Sequence, residues 1–122
     1  MKITQYLHTA LLVTHLERSE YFYGTVLGLT KVDRILKYPG IWYQVGDIQI
    51  HLIVDLTFLP SLQNSEKMGR NPHFALGVEN LDIAQQHLIA HGCTVEMSAS
   101  GRAALFTQDP DGNIIELTQV GL

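Results

Sequence analysis

Apolar and polar residues alternate with a period of two along several short stretches of the chain, and this predicts strands. In residues 7–13, Thr9, Leu11 and Val13 share one face, while His8 and Ala10 lie on the other. The first half of the chain contains four predicted strands, at residues 7–13, 29–36, 41–45 and 48–54. The second half contains four more, at residues 73–78, 93–97, 102–108 and 113–120.

One helix is predicted in each half, directly after the first strand. Thr14 and Glu17 fit a capping box that opens a helix reaching about residue 27, and Gly28 suits its end. Asn80 is positioned to cap the second helix, at residues 81–90. Each half therefore reads strand, helix, strand, strand, strand.

The two halves are related by an internal repeat. An offset of 65 residues superposes the segments 7–16 and 72–81, so that His8 matches His73. The same offset superposes 50–52 on 115–117 and places His51 opposite Glu116. The repeat predicts an α+β fold of two βαβββ modules and superposes four potential metal ligands, two from each module.

The predicted domain organisation is a single domain with an internal joint. Module one spans residues 1–55, the joint spans 56–71, and module two spans 72–122. A connection of this length is typical of a linker or a lid. Its apolar residues Phe58, Leu59 and Leu62 indicate that part of the joint packs.

Small residues accompany the histidines on their strand faces. Ala10 shares a face with His8, and Ala75 and Gly77 share a face with His73, whereas the opposite faces are more apolar. A sheet face that carries a polar ligand beside little bulk leaves room for a cavity. The sequence does not place Arg34 or Arg102 on a definite face, and an arginine in the cavity would favour an anionic substrate.

Composition narrows the classes of partner. The chain has 122 residues, is 46% hydrophobic and 16% charged, and carries a net charge of −4, which fits one folded domain and disfavours nucleic acid. No apolar run suits a membrane span or a signal peptide. Because Cys93 is the sole cysteine, no internal disulfide forms, and we expect a cytoplasmic protein.

Two segments carry a resemblance to a known family. Residues 23–29 read Tyr-Gly-Thr-Val-Leu-Gly-Leu, and residues 109–117 read Asp-Pro-Asp-Gly-Asn-Ile-Ile-Glu-Leu. Together with the two modules, they resemble the vicinal oxygen chelate superfamily, which includes glyoxalase I, type I extradiol dioxygenases, fosfomycin-resistance thiol transferases and bleomycin-resistance proteins. The resemblance implies that the modules curl a mixed sheet around a metal cavity, formed within one chain or shared between two.

The resemblance also implies a ligand set. His8, His73 and Glu116 occupy the three metal-binding positions, and His51 occupies the fourth, where bacterial glyoxalase I has Glu. One divalent ion per site is implied, with Ni, Co, Zn, Mn and Fe(II) all compatible with histidine and carboxylate ligands. Glu116 and His51 are the candidate bases for proton transfer.

The function implied is that of a divalent-metal-dependent enzyme of the glyoxalase type, acting on a small substrate that chelates through two oxygens. Isomerase or lyase, glutathione transferase and dioxygenase chemistry all remain open, the first being favoured. The alternative is a metal-free binding protein like the bleomycin-resistance dimers. A homodimer is expected in either case, because a single βαβββ module leaves a sheet edge open.

Overall fold

The computed structural model of the protein describes residues 1–60, 62 and 64–121, and its chain forms two compact units, Met1–Phe58 and Leu59–Leu122. Each unit contains one mixed four-stranded sheet, as the two predicted βαβββ modules require. The predicted α+β class and its two modules are thus confirmed. The single domain and its division at residues 55 and 71 stay predictions.

The first unit has the order β1 (His8–Val13), α1 (Leu16–Glu20), a π-helix (Tyr21–Val26), β2 (Thr30–Val32), β3 (Gly40–Val45) and β4 (Ile48–Val54). Its sheet order is β1-β4-β3-β2, with β1 parallel to β4 and the other pairs antiparallel. Gly46 closes the β3–β4 hairpin at a φ of 58°, a left-handed conformation that glycine adopts without strain.

The second unit has the order 3₁₀-helix (Met68–Arg70), β5 (His73–Val78), α2 (Leu81–Ala90), β6 (Val95–Met97), β7 (Ala104–Gln108) and β8 (Ile114–Gln119). Its sheet order is β5-β8-β7-β6, with β5 parallel to β8. Helix α2 has the predicted bounds, and the side chain of Asn80 accepts a hydrogen bond from the Ile83 amide as its cap.

The strand registers reproduce the sequence repeat. In the first sheet Ala10 lies opposite His51, and in the second sheet Ala75 lies opposite Glu116. Both members of the second pair follow those of the first by 65 positions. The repeat therefore predicts which residues lie side by side as well as the order of the elements.

The first helix differs from its prediction. His15 rather than Thr14 is the N-cap, since the His15 Nδ1 atom accepts a hydrogen bond from the Arg18 amide. The α-helix ends at Glu20 and continues as the π-helix, in which Phe22, Tyr23 and Val26 are buried. Gly28, at a φ of 73°, ends the segment as predicted.

Burial follows the predicted alternation. On β1 and β5 the residues of the histidine face are exposed, whereas the residues of the opposite face are partly or fully buried. The core of the first unit is formed by Val13, Phe22, Tyr23, Val26, Ile41, Tyr43, Ile50 and Leu52. The core of the second unit is formed by Leu81, Leu88, Ala104, Leu105, Phe106, Ile114, Ile115 and Leu117.

Part of the predicted joint packs within the second unit. Asn71 is buried, and its amide nitrogen lies within hydrogen-bond distance of the carbonyls of Asn64, Lys67 and Met68. Gly69 lies so close to Phe106 that an added Cβ would be 2.5 Å from the ring. In residues 1–60, 62 and 64–121, no helix has the length and apolar character needed to cross a membrane.

Candidate functional site

Three aromatic rings stack on the histidine face of the first unit. The His51 ring lies between His8, at a centroid distance of 4.0 Å, and Trp42, at 4.1 Å. The interplanar angles are 14° and 8°, so the three rings are nearly parallel. The β3–β4 register places Trp42 opposite His51, and the β1–β4 pairing brings His8 alongside.

A chain of side-chain amides sets the tautomer of His51. The Gln44 amide nitrogen donates to the Gly46 carbonyl at 2.8 Å, which fixes the orientation of that amide because a carbonyl only accepts. Gln44 Oε1 then accepts from Gln49 Nε2 at 2.9 Å, and Gln49 Oε1 faces His51 Nε2 at 2.8 Å. His51 Nε2 must therefore carry the proton, which leaves the lone pair of the neutral ring on Nδ1.

The surroundings of His51 favour its neutral form. Burial lowers the pKa of His51, and electrostatic repulsion from His8 and Arg34 lowers it further. A neutral ring is the form that accepts a proton, so the arrangement suits a base or a hydrogen-bond acceptor.

A cleft of about 540 Å³ opens over this stack. Its lining combines the ring stack with polar and apolar neighbours from β1, β3, β4 and the loop before β3: Leu7, His8, Leu36, Tyr38, Trp42, Gln44, Asp47, Gln49 and His51. The size suits a small organic molecule. The predicted cavity on the histidine face is thus present in the first unit.

The second unit brings His73 and Glu116 together. His73 Nε2 lies 3.2 Å from Glu116 Oε1. His73 Nδ1 lies 2.7 Å from the Asn71 carbonyl, and because the carbonyl only accepts, Nδ1 carries a proton. The Phe106 and His73 rings pack edge to face with their centroids 5.4 Å apart, and this contact helps to hold the His73 ring in its orientation.

The other carboxylate oxygen of Glu116 is held by two donors. Glu116 Oε2 accepts from the Thr118 hydroxyl at 2.6 Å and from Arg102 Nη1 at 3.3 Å. The Thr118 bond is the main cause of a lowered pKa of Glu116, opposed by burial and reinforced by Arg102 and His73. Glu116 is therefore an ionised carboxylate at neutral pH, with Oε1 directed toward His73.

The His73–Glu116 pair has the chemistry and spacing of two neighbouring metal ligands. When Nδ1 carries the proton of a neutral ring, the Nε2 lone pair of His73 points to the same region as Glu116 Oε1. The Asn71 carbonyl accepts the Nδ1 proton, as a backbone carbonyl commonly does beside a metal-binding histidine. Ligand atoms at about 2.1 Å from an octahedral ion are separated by about 3.0 Å along an edge, close to the 3.2 Å found here. The donor atoms and spacing of the pair therefore fit a divalent ion.

The His8–His51 pair is arranged differently. Imidazole lone pairs lie in the ring plane, and two nearly parallel stacked rings do not direct them to one point. In this arrangement only one ring of the pair can bind a given ion with good geometry. Within either unit, no three His, Cys, Asp or Glu side chains of the described ranges form a metal-binding group.

Several residues that position these side chains were not among the sequence candidates. They are Gln44 and Gln49 beside His51, Asn71 beside His73, and Thr118 beside Glu116. Gln49 and Thr118 lie two residues from a candidate, on the same strand face, and this spacing could have identified them. Asn71 acts through its backbone carbonyl, which no side-chain pattern reveals.

The turn before β8 is the part of the quoted motif that carries Glu116 into place. Asp109 is buried, and its carboxylate accepts from the amides of Asp111 and Asn113 and from the Asn113 side chain. This carboxylate closes the turn at Gly112, whose φ is 89°. Strand β8 therefore begins in a fixed register against β5 and β7.

The family comparison agrees with this motif and with the two modules. A model of the Glyoxalase/Bleomycin resistance protein/Dioxygenase superfamily matches residues 5–117. The chain belongs to this superfamily. The matched range includes the strands that carry the ring stack and the His73–Glu116 pair, so every candidate ligand lies within the matched range.

Relatives within the superfamily span nearly the whole chain. The lactoylglutathione lyase of Escherichia coli O157:H7 is 31% identical, and that of Salmonella typhimurium is 30% identical. Each match covers 93% of this chain and 90% of the relative. A crystal structure of a glyoxalase family protein from Bacillus anthracis shares the fold with a TM-score of 0.81 at 24% identity, covering 99% of this chain and 98% of that one.

Proposed function

We propose that this member of the glyoxalase superfamily is a divalent-metal-dependent isomerase of the lactoylglutathione lyase type. The observation that carries the proposal is the His73–Glu116 pair, in which the imidazole Nε2 atom and a carboxylate oxygen lie 3.2 Å apart. The similarity to lactoylglutathione lyases at 30–31% identity supports the same class of reaction. The dioxygenase branch of the superfamily and a metal-free binding protein are the alternatives that the experiments below distinguish.

In this proposal His73, Glu116 and His8 hold the ion, and His51 is the fourth candidate, which takes the place of His8 as long as the two rings stay stacked. A bound divalent ion supplies Lewis-acid polarisation of the substrate's oxygens. A homodimer is part of the proposal. Ni, Co, Zn, Mn and Fe(II) all suit this ligand set.

The chain's own residues move the proton. The substrate class is a thiohemiacetal or a related α-hydroxy carbonyl compound, in which a proton leaves one carbon and returns to its neighbour without net oxidation. His51 is neutral with its lone pair on Nδ1, so it can take up that proton and return it. Glu116, as an ionised carboxylate, is the second candidate base.

The test follows proton exchange at the substrate. The purified protein, stripped with EDTA and reloaded with Ni, Co, Mn or Zn, is incubated in D₂O with the hemithioacetal of methylglyoxal and glutathione. We expect the thioester product to form with partial deuterium incorporation, observed by NMR, only in the reloaded sample. His51→Gln and Glu116→Gln should each lower kcat by about 10²-fold or more, the usual contribution of a general acid–base group.

Contrary outcomes have separate meanings. Oxygen consumption with a catechol, in place of proton exchange, would assign the chain to the dioxygenase branch. Tight binding of a drug that is unaffected by chelator would support the metal-free binding protein instead. Sedimentation equilibrium tests the homodimer, since a species of 13.7 kDa at micromolar concentration would contradict it.

A further inference from the structure

Arg34 has two buried hydrogen-bond donors that lack an acceptor. Neither its Nε nor its Nη2 atom has a partner within residues 1–60, 62 and 64–121, and both are closed off from solvent. These two nitrogens lie on the same edge of the guanidinium group. An edge of this kind donates two parallel N–H bonds, and the acceptor with the matching geometry is a carboxylate.

The fold makes a place for this guanidinium. Residues 33–39 leave the sheet after β2 and lead to Gly40, where an added Cβ would lie 3.2 Å from Arg34 Nη2. The Tyr38 ring packs against the guanidinium, with the Arg34 Cζ atom 4.9 Å from the ring centroid. The Arg34 guanidinium is thus accommodated by Gly40, which has no side chain, and by the Tyr38 ring.

Arg34 also lies next to the candidate site. Its charge contributes to the environment of His51, and its packing partner Tyr38 lines the cleft together with Trp42 and His51. Asp47, which also lines that cleft, forms no ion pair with Arg34, since the only ion pair of the first unit's described residues joins Lys31 to Glu20.

Leaving a charged donor edge buried without acceptors is costly, more so than leaving a neutral group unpaired. Such a group in a folded protein calls for a partner that is present in the working state. The partner has to be anionic to balance the guanidinium and planar with two oxygens to use both donors.

We infer that Arg34 is a substrate-specificity residue that binds a carboxylate of the ligand occupying the cleft. The inference rests on the proposed function, because it names a feature of the substrate of the same site. The ligand class is a small carboxylic acid whose apolar or planar part packs on Trp42 and Tyr38. Because solvent does not reach the Arg34 edge, the inference requires that residues 33–39 move to admit the carboxylate.

Trp42 provides a direct test, because it is the only tryptophan of the chain and lines the cleft. The EDTA-treated protein is titrated with benzoate and, separately, with benzamide, which has the same shape but no charge. We expect benzoate to change the Trp42 fluorescence at millimolar concentration and benzamide to bind at least about tenfold more weakly, given the strength of charge-assisted bonds. Equal affinity for the two probes, or no response to benzoate, would overturn the inference.

Variants locate the interaction. Arg34→Gln should lose the preference for benzoate, and Arg34→Lys should keep only part of it because lysine lacks the two-donor edge. Arg18→Gln, which removes an exposed arginine of α1, should bind both probes like the unaltered protein. A benzoate preference that survives in folded Arg34→Gln would assign the carboxylate to another group.

The metal-free design separates this inference from the proposed function. Loss of isomerase activity leaves the benzoate result unchanged, and absence of a benzoate preference leaves proton exchange in the reloaded enzyme unchanged. The comparison of benzoate with benzamide needs no variant, so the inference stays testable if Arg34→Gln fails to fold.

Discussion

Substituting Asp109 with alanine should strongly destabilise the second unit and displace Glu116. The Asp109 carboxylate accepts hydrogen bonds from the Asp111 amide at 2.9 Å, the Asn113 amide at 2.8 Å and Asn113 Nδ2 at 2.8 Å. Only 5% of Asp109 is exposed, so water does not easily replace these bonds. The substitution would leave two backbone N–H groups of the turn without their acceptor.

The magnitude follows from these three bonds. A hydrogen bond to a charged group contributes about 1.5–3 kcal/mol. Because the three bonds share one carboxylate, their effects are not additive, and we expect a total loss of about 3–5 kcal/mol. This is a large part of the roughly 5–15 kcal/mol by which domains are stable, so the variant should unfold at much lower urea concentration.

Asp109→Asn is the matched control. The asparagine side chain keeps an oxygen at the Oδ1 position, which accepts both backbone amides, whereas the acceptor for Asn113 Nδ2 is lost. We expect this variant to lose about 1 kcal/mol. Urea unfolding followed by circular dichroism measures both variants, and an Asp109→Ala value within about 0.5 kcal/mol of the unaltered protein would refute the role assigned to the turn.

Two further predictions concern the first unit. The Tyr43 hydroxyl is buried without a partner in the described part of the chain, and burial together with the Glu20 charge raises the pKa of Tyr43 to about 12. Tyr43→Phe should therefore leave the free energy of unfolding in urea unchanged or raise it by about 1 kcal/mol. A decrease of about 1 kcal/mol would contradict this prediction. Because the pKa of His51 is lowered from 6.5, the unfolded chain binds a proton there at higher pH than the folded chain, and the EDTA-treated protein should lose stability as pH falls below 6.5. His51→Gln should reduce this pH dependence, measured by urea unfolding above and below pH 6.5, and an unchanged dependence would assign it to another group.

The most accurate predictions from the sequence are the element bounds that follow from hydrophobic periodicity and the strand registers that follow from the internal repeat. The bounds of Ile48–Val54, His73–Val78 and Leu81–Ala90 agree with the structure, and the 65-residue offset reappears in the strand registers. These features follow from alternating burial and local capping, which neighbouring residues determine.

The parts that the sequence did not predict depend on contacts between distant residues. The Thr14–Glu17 pattern favoured a different cap because the capping role of the His15 ring has no strong sequence signal. Strand β2 ends at Val32 rather than residue 36, since the segment from Asp33 packs Arg34 against Tyr38 in place of pairing with β3. The ring stack likewise depends on cross-strand register, which periodicity alone does not give.

The second unit shows the same limit at the candidate site. Glu116 could be identified from its motif, but its hydrogen bonds to Thr118 and Arg102 depend on side-chain direction. The orientation of His73 depends on the backbone of Asn71, at the end of a joint for which the sequence predicted only that part of it packs.

The metal content of the protein tests the central claim most directly. Protein purified without chelator, or reloaded after EDTA treatment and dialysed, is analysed by plasma mass spectrometry alongside His73→Ala, Glu116→Ala and the surface control His87→Ala. We expect close to one divalent ion per chain in the unaltered protein and the control, with strong loss in the two ligand variants. An unaltered protein that retains no metal after reloading would contradict the proposed metal-dependent isomerase.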